Sequence, residues 1–421
     1  MRPDADWAVD FETGGRAIAR PLTLSGVWSR VLSHVFFLLF TSPVLSPYVS
    51  EKTIYLFWFV PLLDPAFLRY LSDGMQRLPG QLWLATGALL LWFLLVSPEL
   101  ALRWALLLWP LAYLWFAYEK QIFYLYVWMG FNVVVALVQA GVYWSLGPAA
   151  AMLVGPKNIA DVVWGAYATR SFTNFYSIIP GFDLPRFSGL SREGGFFAAL
   201  LAVVVLLRVA NRQRVGIMQW LGILLSISKS TAFLLLGWAA TAIGAKDRRT
   251  PVALFVPLLL AFCLVYYLAV DTPLMQGRIS ATFTQRLYPY AALFHDMDFA
   301  NLAVGNHASP KPLEQFRSFQ LCVNVESYLN CVEMPSFAAL IFSAGIVGLG
   351  LYLWQLSALG IGFWGLVLVF ILTSNVSPLS NTSFVVLSYF LALRIAAQGA
   401  GRTQNDGDEA YEPGSQTGVL S

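Results

Sequence analysis

The chain has 421 residues, 58% hydrophobic and 12% charged, with a mean hydropathy of +0.64. More apolar side chains must be hidden than one water-soluble core accommodates, which excludes a cytosolic enzyme and a nucleic-acid-binding module. The net charge of +3 carries no signal for a polyanionic partner; the placement of the 26 Lys and Arg residues is more informative.

The first residues, 1–27, include Asp4, Asp6, Asp10 and Glu12 and no apolar stretch of the signal-peptide kind, so they read as a cytoplasmic tail. Apolar runs then follow at about 28–48, 53–71, 81–97, 101–116, 122–146, 194–210, 214–229, 230–246, 251–270, 336–356, 359–376 and 381–398. They predict an all-α polytopic membrane domain over 28–398 with about twelve spans, closed by a disordered cytoplasmic tail at 399–421. The runs at 214–229 and 230–246 are short and nearly continuous, so a tight helix pair and one broken element are both open.

Orientation follows from the basic residues. With both termini cytoplasmic, the inner segments collect fifteen Lys and Arg, among them Arg69, Arg208, Arg212, Arg214 and Arg394, against only Lys52, Arg103 and Lys229 in the short outer loops. Two long segments, about 147–193 and 271–335, then fall on the outer face, and loops of that length usually carry function. They hold 17 of the 37 charged residues between positions 21 and 400. Cys322 and Cys331 both sit in the second loop, on a disulfide-permissive face, where a bridge and two separate thiols are alternative readings.

The first loop ends Arg186-Phe-Ser-Gly189-Leu-Ser-Arg192-Glu193-Gly194-Gly195 and runs into the next span. Two arginines at a helix mouth suit a phosphate, because guanidinium groups bind it bidentately and the helix N-terminus adds partial positive charge. Interfacial snorkelling arginines are the competing reading. Ser226-Ile-Ser228-Lys229-Ser230-Thr231 reads equally as part of a headgroup cavity and as a polar helix break.

The second loop carries Arg278 and Arg286, two turns apart if helical, and then Asn301-Leu-Ala-Val-Gly305-Asn306-His307. A histidine beside arginines tends to stay neutral at pH 7, which suits a general base; a solvated polar loop with an incidental His is the alternative. His295-Asp296-Met-Asp298 matches a hard-cation site only as one short carboxylate pair, and a turn explains it as well.

Taken together these stretches resemble the O-antigen polymerase and ligase superfamily, the Wzy-type and lipid A-core ligase proteins. Arg186-x-x-Gly189-x-x-x-Glu193 is similar to the family's R-x-x-G-x-x-x-E-P element, and Ser226-x-Ser228-Lys229-Ser230 to its S-x-S-R-[ST] element. Arg278, Arg286 and Asn301 to His307 resemble its outer-loop stretch, and Phe342-Ser-Ala-Gly-Ile-Val-Gly-Leu-Gly its glycine-rich return helix. Gly194 stands where proline is usual, and Lys229 where arginine is common, which retains charge but loses the bidentate fork. Residues 1–146 carry no such signature.

The resemblance implies a GT-C-like, metal-independent membrane glycosyltransferase without cofactor, in a bacterial inner membrane, acting on polyprenyl-pyrophosphate-linked glycans among membrane lipids. Chain-length, flippase and export proteins are its implied partners. Arg186, Arg192, Arg278, Arg286 and Lys229 would hold the pyrophosphate, and His307 or Glu193 would take the acceptor proton, giving transfer with inversion. A repeat-unit polymerase is the first reading and a ligase the second. A lipid-linked glycan transporter and a non-catalytic assembly scaffold are the alternatives of another class.

Overall fold

The structure is a computed structural model that describes residues 24–49, 52–75, 78–165, 177–179, 182–191, 194–228, 230–244, 250–269, 289–290, 293, 297–306, 336–373 and 382–408. These residues form a helical membrane protein. Pro98–Glu119, Leu125–Leu146 and Phe337–Ala358 are each long and apolar enough to cross a bilayer alone, and seven shorter apolar segments among the described residues accompany them. Two small antiparallel hairpins, β1 (Tyr48–Val49) with β2 (Lys52–Thr53) and β3 (Ser177–Ile179) with β4 (Phe182–Pro185), interrupt the helices.

The first helix, α1 (Leu24–Thr41), is followed by a departure from expectation. The run at 53–71 is not one helix but two 3-10 turns, Leu56–Trp58 and Val60–Leu63, and an 11-residue helix α2 (Pro65–Met75). Pro61 and Pro65 explain the break, since neither can donate to a helical ladder. Asp64 between them is fully buried. Its Oδ1 caps α2 by accepting from the amides of Ala66 (3.0 Å) and Phe67 (3.3 Å) and from the Ser29 hydroxyl (2.8 Å). Its Oδ2 accepts from the Tyr113 hydroxyl at 3.2 Å. One carboxylate thus ties α1, α2 and the helix Pro98–Glu119 together, each of these four donors being neutral.

Helices α3 (Gly80–Val96) and α4 (Pro98–Glu119) are joined by Ser97 alone, which ends the first by donating its amide to Phe93 and caps the second by accepting from the Leu100 amide at 3.5 Å. Ser-Pro-Glu at that point is a helix-start signal. The bundle continues with α5 (Leu125–Leu146), the short α6 (Pro148–Leu153) and α7 (Pro156–Trp164), then α8 (Gly194–Ala210). Almost every residue of α8 is buried, and a helix apolar all round belongs at the centre of a bundle. It packs against α9 (Ile217–Ser226), α10 (Ser230–Gly244) and the last helix, α15 (Thr382–Asp408).

The ambiguity around 214–246 resolves into two helices. Leu201 lies against Gly222, and the Ser226 carbonyl near Gly194, so α9 runs antiparallel to α8. The chain reverses at Ile227 (φ 35°, ψ 57°), and α10 returns alongside α8 with Gly237 against Leu206. Three further helices complete the described membrane part: α11 (Phe255–Ala269), α13 (Ser336–Ala358) and α14 (Phe363–Thr373), with the six-residue α12 (Phe299–Val304) docked on α13. The last helix, α15, continues to Asp408, so the first ten residues of the expected disordered tail are helical.

Candidate functional site

Hairpin β3–β4, with Ser177 opposite Pro185 and Ile179 opposite Phe182, delivers the chain to Arg186. Residues 186–191 have no regular structure, yet their backbone is held from three sides. The Phe187 amide donates to the Leu225 carbonyl (3.1 Å), and the Val44 amide to the Leu190 carbonyl (3.3 Å). The Gly189 amide donates to Gln139 Oε1 (3.0 Å), whose Nε2 donates back to the Gly189 carbonyl (2.9 Å), and the Leu190 amide donates to Asn132 Oδ1 (2.8 Å). The Phe187 ring is buried edge-on against Tyr143 and Trp144.

Asn132 and Gln139 are fully buried on α5, two turns apart and therefore on one face. Beyond the ledge, Asn132 Nδ2 donates toward Thr41 Oγ1 (3.2 Å) and Ser42 Oγ (3.2 Å), and Gln139 Nε2 toward the Val154 carbonyl (2.9 Å). Sequence reasoning missed both. The available signal was two carboxamides at i and i+7 within an otherwise apolar run, since an intramembrane polar side chain faces protein rather than lipid. Gly189 is needed where it stands: its φ is +56°, and a Cβ there would sit 2.5 Å from the Asn132 carbonyl oxygen.

The side chain of Arg186 is half-buried. Its Cβ and Cδ lie 3.1 and 3.5 Å from the point where a Cβ on Gly194 would sit, and the Ser226 carbonyl oxygen lies 3.4 Å from the same point. Two stretches about forty positions apart therefore meet at the mouth of α8: the Arg186 ledge and the α9–α10 reversal. Ser226 itself is buried, its hydroxyl donating to Ile223 within its own helix at 2.8 Å, so it acts here through its backbone. A guanidinium beside the N-terminus of a 17-residue helix is an arrangement for an anion.

A second junction joins the other two stretches. Asp298, the described carboxylate of the His295-Asp296-Met-Asp298 stretch, caps α12 by accepting from the Asn301 amide at 2.8 Å. The helix ends at Gly305 (φ +96°), where a Cβ would lie 2.5 Å from the Ser343 carbonyl oxygen, and the Asn306 amide donates to the Phe342 carbonyl at 2.8 Å. Facing it, α13 is broken at Gly345 (φ +69°, ψ −175°), whose missing side chain makes room for the Ala303 carbonyl. The kink frees the Ala344 carbonyl, which accepts from Trp92 Nε1 of α3 at 2.9 Å.

Of the candidates read from sequence, Arg186 is therefore placed at the α8 mouth. Arg192, Glu193, Lys229, Arg278, Arg286, His295, Asp296, His307, Cys322 and Cys331 lie outside the described residues. Comparison of the chain with protein-family models, with curated proteins and with solved structures finds no match.

Proposed function

We propose that this chain is a multi-span glycosyltransferase, of about twelve spans in a bacterial inner membrane, that polymerises polyprenyl-pyrophosphate-linked repeat units at the outer face. The observation that carries the reading is the meeting of the Arg186–Gly194 stretch and the Ser226 reversal, two stretches singled out by their chemistry and lying together at one helix mouth. A pyrophosphate leaving group needs positive charge more than it needs a proton, and a guanidinium at a helix N-terminus supplies it. Arg192, Arg278, Arg286 and Lys229 would complete the cradle, with His307 or Glu193 as base for the acceptor hydroxyl. The lipid tail would lie along the apolar helices, and chain-length and export proteins would be the partners.

The test is deletion of the gene, with glycans resolved on gels after complementation by wild type, Arg186→Ala and Arg186→Lys. Single repeat units on their acceptor in the deletion strain identify a polymerase; long chains retained on the polyprenyl carrier identify a ligase. Arg186→Ala should lower long-chain output at least about tenfold at unchanged protein level, with Lys intermediate because it keeps charge without the fork. Undiminished polymer with Arg186→Ala would favour a transporter or scaffold.

A further inference from the structure

At the opposite end of α8 from Arg186, four helices bring two arginines together. Arg394 of α15 donates from Nη2 to Asn211 Oδ1 at 2.8 Å, and the Tyr118 hydroxyl at the end of α4 donates to the same oxygen at 3.3 Å. The Arg394 guanidinium carbon lies 4.4 Å from the centre of the Tyr118 ring, and that of Arg208, on the last turn of α8, lies 4.6 Å from the centre of the Tyr126 ring. Arg208 Nη1 donates to the Arg214 carbonyl at 3.0 Å.

All five side chains are half-buried, and among the described residues the Nε atoms of both arginines are enclosed without a hydrogen-bond partner. Among the described residues neither arginine has a carboxylate partner; Glu119, next to Tyr118, accepts from Trp115 Nε1 at 2.8 Å instead. Two half-buried like charges, one held by the Asn211 amide oxygen and the other by the Arg214 carbonyl, each over a tyrosine ring, are under-compensated, because neutral acceptors and aromatic faces recover only part of what dehydration costs. Basic pockets between helices at this edge of a bilayer suit lipid phosphates.

We propose that Arg208 and Arg394, with the Tyr118 and Tyr126 rings beneath them, form a site for the phosphate of an anionic phospholipid headgroup on the face to which the basic-residue bias assigns the cytoplasm. The occupant is a lipid rather than free phosphate because exposed apolar side chains adjoin the cluster in sequence, Val127 and Phe131 on α5 and Ile217 and Trp220 on α9, where acyl chains can lie. The site is independent of the glycosyl-transfer reading, since it occupies the other end of the bundle.

The full chain, purified in uncharged detergent, is mixed separately with cardiolipin, phosphatidylglycerol, phosphatidylcholine and inorganic phosphate, and bound lipid is counted by native mass spectrometry beside thermal unfolding. Anionic lipids should be retained and raise the unfolding temperature, with phosphatidylcholine and phosphate doing neither. Arg208→Gln with Arg394→Gln should lower retention at least about tenfold, and Arg103→Gln, which removes only the Glu99 ion pair, should leave it unchanged. Equal retention of phosphatidylcholine by wild type, undiminished retention by the double variant, or equal stabilisation by inorganic phosphate would each overturn the proposal. If the double variant does not accumulate, the lipid preference of the wild type decides alone.

Discussion

Arg186 and Gly189 stand three residues apart and answer to different constraints. Arg186 presents charge at the mouth of α8, whereas Gly189 lets the backbone reach the two carboxamides of α5. Substituting Gly189 by Ala should therefore destabilise the fold by about 1–3 kcal/mol from the left-handed backbone alone, before the collision with the Asn132 carbonyl is relieved. Asn132→Leu should cost about 1–3 kcal/mol by orphaning the buried Leu190 amide. Thermal unfolding in detergent measures both, and Arg186→Ala, measured alongside, should unfold near the wild-type temperature. A fall as large as that of Gly189→Ala would make Arg186 a packing residue. Arginine at a helix mouth was legible because charge is scarce in this chain; Asn132 was overlooked because a carboxamide carries no formal charge, although its spacing from Gln139 within an apolar run was a signal.

At the scale of elements, the same asymmetry separates breaks that sequence announces from breaks that packing imposes. The run at 53–71 reads as one span, yet Pro61 and Pro65 carry the signal for the break that the structure shows there. At the Ile227 reversal the polar run from Ser226 to Thr231 allows a break but does not fix its residue, since a β-branched side chain is among the least suited to left-handed backbone; α9 and α10, on the two sides of the turn, both pack on α8. The kink in α13 lies between these cases, because a glycine-rich helix centre was visible but its partner, the end of α12, was not. Gly345→Ala should disrupt the junction on both counts, a positive φ and the facing Ala303 carbonyl. Trp92→Phe should cost only about 1 kcal/mol, the worth of one hydrogen bond to the freed Ala344 carbonyl. If glycan output falls in both variants while the protein level falls only in the first, the α12–α13 junction serves the chemistry as well as the fold.

Across the whole molecule, independent contacts sort the helix ends into two groups. Arg186 with Ser226, Gln139 with Gly189, and Gly305 with Ser343 gather at one end. Asp64 with Ser29 and Tyr113, Arg394 with Asn211, and Gly244 with Trp364 gather at the other. The grouping coincides with the two faces deduced from the positions of Lys and Arg, although nothing about side-chain contact entered that deduction. What the contacts leave undirected is which end meets the cytoplasm, because a helix bundle is equally well packed either way up. Alkaline phosphatase, active only outside the cytoplasm, and a fluorescent protein that matures only inside it provide the direction when fused after Gly165, Gln213 and Asp408. Phosphatase activity is expected after Gly165 alone, with fluorescence after Gln213 and Asp408. The reverse pattern would put Arg186 in the cytoplasm and the Arg208–Arg394 cluster outside. That outcome would remove both outer-face glycosyl transfer and an inner-leaflet lipid site while leaving every contact of the fold intact.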